Sequence, residues 1–263
     1  MRSIFVLLAC SFLFACSQSP TGRSQVLLFS EADMQKLGES SFTQIKEQEK
    51  ISTSRADTAY VQCIANQLVA EVPASYGQSR WEVVVFDSPQ VNAFALPGGK
   101  VGVYSGLLKV AKNQDQVAAV VGHEIAHVLA RHSNERVSRT QLTNMGLSAA
   151  DLALGQSGLR QPAMAALGLG VQVGYLLPYG REQEAEADRL GLEMMARAGF
   201  NPEQSIDLWR NMSAAASGRQ PPELLSTHPS HGTRIQELNA AMPSASALYQ
   251  QARTQGKTPT CRR

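Results

Sequence analysis

The segment from Val117 to Ala130 is the feature that most constrains this chain of 263 residues. Every position in it is apolar or small except His123, Glu124 and His127. Such a pattern predicts a helix that is buried on nearly all sides. Burying three polar side chains there costs several kcal/mol unless each has a partner. A bound metal ion would supply that partner, and the segment therefore indicates a metal site in the core.

His123 and His127 are spaced i, i+4, which places both imidazoles on one face of the helix. Both can then reach a single Zn²⁺ at about 2.0–2.1 Å. Glu124 follows the first histidine directly and lies beside the metal without binding it. From there it can accept a proton from a water whose pKa the metal lowers to about 7. The motif predicts one zinc ion per chain and hydrolytic chemistry.

Two histidines leave a catalytic zinc site one protein ligand short, because such sites have three. The metzincin pattern would supply a glycine at position 130 and a histidine at position 133, whereas this chain has Ala130 and Ser133. His132 is one position out of register. We expect it to be a solvated residue near the end of a helix over about 114–136. The third ligand must then come from another part of the chain.

The acidic run Arg181–Asp188 offers that ligand on another predicted helix. Glu184 and Asp188 are spaced i, i+4 and share a face. Glu184 can therefore bind the metal, while Asp188 supports the site by hydrogen bonding to a histidine ligand. Glu182 and Glu186 point about 160° away from Glu184 on a helix of 3.6 residues per turn, and we expect both to be solvated.

The N-terminus has the features of a targeting segment. Met1-Arg2 is basic, and Ile4–Ala15 is almost wholly apolar but too short to span a bilayer comfortably. Cys16 ends a stretch that resembles a bacterial lipobox, whose cysteine is lipidated; Cys10 ends a competing one that would leave a shorter apolar region. Ser17 favours outer-membrane sorting. An ordinary secretory signal with an incidental cysteine is the alternative.

Cys63 and Cys261 remain if Cys10 leaves with the signal peptide and Cys16 carries lipid. The cell envelope permits disulfides. These two cysteines are therefore candidates for a bridge that would close a very long loop and contribute about 4 kcal/mol in the chain-entropy model. Two unpaired thiols are the alternative.

Helices dominate the remaining pattern. We expect a signal peptide over 1–15, a lipidated cysteine and polar tether over 16–29, one domain over 30–242 and a loosely held polar tail over 243–263. Three strands are predicted before the metal-motif helix, at Trp81–Phe86, Asn92–Leu96 and Lys100–Tyr104. The last helix is predicted at about Gly232–Ala241. The expected fold class is α+β, predominantly helical, with a small sheet beside the metal-motif helix.

Four stretches occur together: His123–His132, Glu184–Asp188, Asn92–Leu107 and Thr227–Ile235. In combination they resemble the HtpX/BepA/Oma-like gluzincin zinc metallopeptidases over roughly residues 25–240. The match is nearest to their periplasmic lipoprotein (BepA/LoiP-like) members. The resemblance implies a zincin-type fold.

The resemblance also assigns roles to single residues. It implies Glu184 as the third zinc ligand and Asp188 as its support. It implies that His228 reaches the active site, to stabilise the oxyanion or occupy the open position of the metal, and that Arg234 lies near it. From the residues alone, His228 could equally be an ordinary surface histidine.

The glycine-punctuated strands before the metal helix suggest how a substrate binds. An edge strand can pair with an extended peptide through main-chain hydrogen bonds, which makes Asn92, Ala93 and Phe94 candidate substrate-binding residues. Either Asn92–Leu96 or Lys100–Tyr104 can be that edge. A purely structural role for these residues is the alternative.

Together these patterns predict a zinc metalloendopeptidase, lipid-anchored at the bacterial outer membrane and facing the periplasm. Its expected substrates are misfolded or misassembled envelope proteins, and the outer-membrane assembly machinery is a candidate partner. A largely non-proteolytic assembly factor or chaperone with a closed zinc site is the main alternative. The formal net charge of +2, without a basic cluster, gives no reason to expect nucleic acid.

Overall fold

The computed structural model describes residues 17–76, 80–155, 160–171, 177–215 and 231–263, so the predicted signal peptide, Cys16 and His228 lie outside it. Its strands are β1 Ser17–Gln18, β2 Ser24–Gln25, β3 Glu82–Phe86, β4 Ala93–Leu96 and β5 Lys100–Tyr104. Its helices are α1 Glu31–Gln48, α2 Arg55–Val69, α3 Leu107–Val110, α4 Gln114–Leu129, α5 His132–Leu154, α6 Arg160–Val171, α7 Leu177–Arg197, α8 Gln204–Ala215 and α9 His231–Thr254. This confirms the α+β, predominantly helical fold class. Among the helices described, none combines the length and apolarity needed to cross a bilayer.

The N-terminal segment Ser17–Gln25 packs on the domain, whereas the sequence predicts a polar tether there. β1 and β2 pair antiparallel, and Gly22 in the turn between them has a φ of 89°. Gln25 is 2% exposed, and its Nε2 donates to the carbonyl oxygen of Ala130 over 2.6 Å. Small polar residues with a glycine are typical of linkers and of tight turns alike, and composition alone does not separate the two.

The strands β3, β5 and β4 form the main sheet in that order, so that β5 is central and β4 is at an edge. β3 runs parallel to β5, and β4 runs antiparallel to it. Gly98 and Gly99, in the turn between β4 and β5, have φ values of 81° and 73°, a conformation that glycine adopts without steric cost. Of the two strands that the sequence leaves open, the one over Asn92–Leu96 is at the edge.

The metal-motif helix α4 lies in the middle of the core. Asn113 caps it by accepting a hydrogen bond from the backbone N–H of Gln116 over 2.9 Å. Val117, Val121 and Ile125 are each at most 1% exposed. α2, α7, α8 and β4 pack around this helix, which accounts for its nearly continuous apolar surface.

The helix that the sequence predicts over 114–136 is broken at Arg131. α4 ends at Leu129, α5 begins at His132, and Arg131 between them has a φ of 54°. A left-handed backbone costs a residue with a β-carbon about 1–2 kcal/mol and is therefore rare. Because the turn redirects the chain, residues after Arg131 no longer follow the periodicity of α4.

The C-terminal region is more ordered than the sequence predicts. α9 continues through Pro243 to Thr254, so the predictions of a helix that ends near Ala241 and a loose tail from Pro243 are wrong. A disulfide then joins Cys261 to Cys63 on α2. The tail is thereby fixed to the helix that packs on α4.

Candidate metal centre

The helices α4 and α7 cross at two glycines, Gly122 and Gly191. A β-carbon on Gly191 would lie 2.7 Å from the backbone nitrogen of His123, and one on Gly122 would lie 3.1 Å from the carbonyl oxygen of Gly191. Real β-carbons do not approach a neighbouring backbone as closely as 2.7 Å, so the crossing depends on glycine at position 191. Gly191 follows Asp188 by three residues, and the contact therefore brings the acidic face of α7 against the histidines of α4.

Three ligand atoms converge at this crossing. Nε2 of His123 and Nε2 of His127 are 3.0 Å apart. The carboxylate oxygens of Glu184 lie 3.2 Å from the first and 3.4 Å from the second. His123 is 4% exposed and Glu184 is 1% exposed. Within the described residues, these three side chains form a group that can hold a metal ion.

The separations fit a tetrahedral zinc ion, whose ligands at about 2.0–2.1 Å lie about 3.4 Å from one another. Burial lowers the pKa of His127 to about 3, so its imidazole is neutral. Burial and Arg234 lower the pKa of His123, but hydrogen bonds to Asp188 and Glu184 outweigh them and raise it to about 9. The carboxylates of Asp188 and Glu184 therefore favour a positive charge on or beside the imidazole of His123. Two imidazoles and one glutamate also leave a four-coordinate ion one open position, as catalysis requires.

Asp188 and Arg234 hold the outer nitrogen of His123. Asp188 Oδ1 lies 2.9 Å from His123 Nδ1. Arg234 donates to both oxygens of that carboxylate, from Nε over 2.7 Å and from Nη2 over 2.6 Å, and its guanidinium stacks 3.7 Å from the ring centroid of Trp209. Burial raises the pKa of Asp188, but the charge of Arg234 and the hydrogen bonds lower it below its ordinary value. An ionised Asp188 favours the tautomer of His123 that has its proton on Nδ1 and its lone pair on Nε2. Arg234 Nη2 also lies 2.8 Å from Nδ1 and 2.9 Å from Nε2 of this imidazole.

His132 is buried, and the prediction that it is a solvated helix-end residue is wrong. It is 1% exposed, and its Nδ1 lies 2.8 Å from Nδ1 of His127. Its Nε2 lies 3.1 Å from Oε2 of Glu186. Glu186 is 6% exposed, so the prediction of a solvated Glu186 is also wrong, while Glu182 is exposed as expected. The cause is the turn at Arg131, which folds the chain back toward His127.

The N-terminal segment holds Glu186 in place. Thr21 Oγ1 donates to this carboxylate over 2.5 Å and Arg23 Nε over 2.9 Å. Arg23 also donates from Nη1 and Nη2 to Glu135, over 3.0 Å and 2.8 Å. Burial raises the pKa of Glu186, but hydrogen bonds from His132 and the N-terminal segment lower it well below its ordinary value.

The other candidate residues are placed as follows. Glu124 directly follows His123 on α4 and is partly exposed. Asn92 is exposed and Ala93 is 7% exposed. Phe94 packs into an aromatic cluster with Phe42, Phe86 and Tyr104. The ring of Phe94 therefore contributes to the packing of the sheet, which leaves the main chain of β4 as the part suited to pair with a peptide.

Three supports of the site were missed by sequence reasoning. Gly122 directly precedes His123 on α4, and Gly191 is three residues after Asp188 on α7. A glycine near the site residues of each helix could have indicated that the two helices pack closely there. Arg23 carries no local signal, because its partner Glu186 is 163 residues away along the chain.

Comparison with known proteins places the chain in a family. The model of peptidase family M48 matches residues 55–242. Mitochondrial metalloendopeptidase OMA1 of Schizosaccharomyces pombe is 37% identical over 190 residues, which are 72% of this chain and 54% of that protein. The human mitochondrial metalloendopeptidase OMA1 is 34% identical over 259 residues, 92% of this chain and 49% of that protein. The beta-barrel assembly-enhancing protease of Escherichia coli is 30% identical over 184 residues, 68% of this chain and 37% of that protein.

The chain spans about half the length of the first of these relatives and less of the bacterial one. Mitochondrial and bacterial relatives match it at similar identity, so the comparisons support the family and do not select the lipoprotein branch that the sequence suggested. The family model covers most of the chain, including the three ligand residues and their supports on α4, α7 and α9. This chain belongs to peptidase family M48.

Proposed function

We propose that this chain is a zinc metalloendopeptidase in which His123, His127 and Glu184 hold one Zn²⁺. The convergence of three ligand atoms at separations of 3.0–3.4 Å, two of them from the buried side chains of His123 and Glu184, carries this proposal. Family membership supports the same reaction class, since relatives that match most of this chain are named metalloendopeptidases.

Glu124 is the proposed general base and acid. A zinc ion held there would polarise the peptide carbonyl and lower the pKa of the attacking water. A carboxylate oxygen of Glu124 takes the proton of that water and later delivers it to the nitrogen of the leaving amine. The position of Glu124 directly after His123, on a helix whose residues are mostly buried, supports this role.

The substrate is proposed to bind as an added strand on β4. This strand is at the edge of its sheet and packs against α4, so a peptide paired with Asn92–Leu96 would run past the metal helix. His228 is proposed to act on the oxyanion or at the open metal position. Arg234 supports this placement, because it contacts the site and is only six residues from His228, which is within about 20 Å of extended chain.

The proposed location is the bacterial outer membrane, by a lipid on Cys16, with the domain facing the periplasm. The lipobox-like sequence supports it, as does the similarity to the beta-barrel assembly-enhancing protease of Escherichia coli. The proposed substrates are misfolded or misassembled envelope proteins. Because Ser17 already belongs to β1, a lipid on Cys16 would hold the domain directly at the membrane surface.

A second candidate function is a mostly latent enzyme that acts as an assembly factor or chaperone. The burial of two of the three ligands favours it, because His123 and Glu184 are at most 4% exposed and a substrate carbonyl needs access to the metal that they would hold. In this state the segment 141–180 or His228 would close the site.

The test is Glu124→Gln, with exposed Glu182→Gln on α7 as the matched control. The Glu124 variant should bind zinc and fold as wild type does, yet lose cleavage of an unfolded protein such as casein. The control should cleave normally. Cleavage that survives in Glu124→Gln would overturn the mechanism. A wild-type chain that binds zinc but does not cut, while its deletion impairs outer-membrane assembly, would favour the second candidate.

A further inference from the structure

The outer nitrogen of His127 contacts a second histidine, and the proton between them must be assigned. Nδ1 of His127 and Nδ1 of His132 are 2.8 Å apart. A hydrogen bond at this distance needs one nitrogen with a proton and one without. Which ring donates depends on what the far nitrogen of His132 contacts.

That far nitrogen contacts an ionised carboxylate. His132 Nε2 lies 3.1 Å from Oε2 of Glu186, and the same oxygen accepts from Arg23 Nε over 2.9 Å. Thr21 donates to the other oxygen over 2.5 Å. A carboxylate that accepts from a guanidinium and a hydroxyl has only acceptor capacity left for its third partner. His132 must therefore carry its proton on Nε2.

The remaining assignments follow from this one when each imidazole carries a single proton. Nδ1 of His132 is then an acceptor, and His127 donates to it from Nδ1. The lone pair of His127 is then on Nε2, which lies 3.0 Å from Nε2 of His123 and 3.4 Å from Glu184. This is the tautomer that metal binding requires.

The hydrogen bonds that begin at His127 end at Arg23 and Gln25 in the N-terminal segment, which is not helical. Arg23 bridges Glu186 and Glu135, two carboxylates whose side chains are 3% and 0% exposed. Gln25 donates to Glu135 over 3.1 Å and to the carbonyl oxygen of Ala130, beside the Arg131 turn. The N-terminal segment is thus bonded to both helices that present His132 and Glu186.

We propose that His132, Glu186 and Arg23 are positioning residues that fix the tautomer and orientation of His127. In this arrangement the segment Ser17–Gln25 is an integral part of the metal site. The inference rests on the proposed zinc function. It assigns to the residues immediately after the predicted lipid attachment a direct influence on metal affinity.

The first test compares three variants of the full chain. His132→Leu removes the acceptor for His127 Nδ1 and should weaken zinc binding about 10–100-fold, the usual effect of losing such a partner. His132→Gln offers a carbonyl oxygen in its place and should restore most of the affinity. Asn134→Leu is the matched control, because Asn134 is buried on the same turn of α5 but donates to Phe29, and its affinity should match wild type.

Zinc affinity would be measured by chelator competition, with circular dichroism and apo-protein unfolding to show that each variant folds. The Co²⁺-loaded proteins give a second readout, since the visible spectrum of cobalt responds to ligand geometry. His132→Leu should alter that spectrum and His132→Gln should return it toward wild type. A folded His132→Leu protein with wild-type affinity and spectrum would overturn the proposal.

The second test extends the chain of contacts to the N-terminal segment. Arg23→Met should weaken zinc binding. Arg23→Lys should weaken it less, because lysine keeps the positive charge although it loses the paired hydrogen bonds of the guanidinium. Equal affinities for wild type and a folded Arg23→Met protein would remove Arg23 from the proposal. A wild-type chain that fails to bind one zinc ion, or that binds it equally well after His123→Ala, would instead overturn the proposed function itself.

Discussion

His123 and His127 lie one turn apart on the same helix, yet their outer nitrogens are held by different parts of the molecule. On the His123 side, Asp188 and Arg234 both contact the imidazole directly, and Arg234 on α9 also pairs with Asp188. On the His127 side, the contact passes through His132 before it reaches a carboxylate and an arginine. Each side ends in an Arg–carboxylate pair, one supplied by the C-terminal helix and one by the N-terminal segment.

The two arginines differ in how deeply they are buried. Arg234 is 1% exposed and stacks on Trp209, whereas the side chain of Arg23 is 18% exposed. Contact with solvent weakens the ion pairs of Arg23 relative to that of Arg234, although both carboxylates that Arg23 bridges are buried. We therefore expect the His123 side to be the rigid support of the site and the His127 side to be the adjustable one.

The largest expected effect follows from Arg234→Met. It leaves Asp188 buried without its cationic partner, which typically costs about 3–5 kcal/mol. We expect a loss of this size in the free energy of unfolding by urea, together with weaker zinc binding. Arg210→Met is the matched control, because Arg210 is an exposed arginine that pairs with Asp207 on α8; its stability should match wild type. An equally small effect at both positions would remove the distinction between a rigid and an adjustable side.

A smaller effect is expected from Gly191→Ala, which tests the helix crossing that both sides share. The new β-carbon would meet the backbone of His123 at 2.7 Å, and relief of such overpacking typically costs about 1–3 kcal/mol. α7 would move away from α4 and carry Glu184 with it, so zinc affinity should also fall. Urea unfolding and chelator competition measure the two effects.

Gly146→Ala provides the control for this substitution. Gly146 is also helical, but nothing lies within 4 Å of an added β-carbon there. Alanine should therefore stabilise α5 by roughly 0.5–1 kcal/mol through helix propensity and leave zinc affinity unchanged. If Gly191→Ala behaved like Gly146→Ala, the crossing would not set the position of Glu184.

The Asp188 contact on the His123 side could be predicted from the sequence because its geometry is local, whereas Arg234 was implied only by the family resemblance. An i, i+4 pair on α4 and another on α7 define two faces, and helical periodicity alone places Glu184 beside Asp188. The sequence pattern does not show that these two helix faces meet. They meet because the backbones of α4 and α7 approach closely at Gly122 and Gly191, which is a tertiary contact.

The His127 side could not be predicted, because each of its steps departs from local regularity. Helical periodicity predicts that His132 faces away from His127. The left-handed turn at Arg131 could not be recognised, because no glycine or asparagine marks it. Glu186 faces away from Glu184 along α7 and meets a partner that only this turn brings within reach. Arg23 belongs to a segment whose composition suits a linker equally well.

The smallest expected effect concerns that turn, and it decides whether the backbone alone brings His132 back to His127. Arg131→Gly removes the cost of a left-handed residue, about 1–2 kcal/mol, but gives the unfolded chain more freedom, worth about 0.4–1 kcal/mol. The net gain in stability should therefore be about 1 kcal/mol or less, with zinc affinity unchanged.

Arg131→Val should have the opposite effect, because a β-branched residue strongly disfavours a positive φ. We expect it to disturb the position of His132 and to weaken zinc binding while the Asp188–Arg234 contact stays intact. If both variants weakened zinc binding equally, the arginine side chain would matter more than the turn. If neither did, His132 would be held by its contacts to Glu186 and the N-terminal segment, independently of the backbone that delivers it.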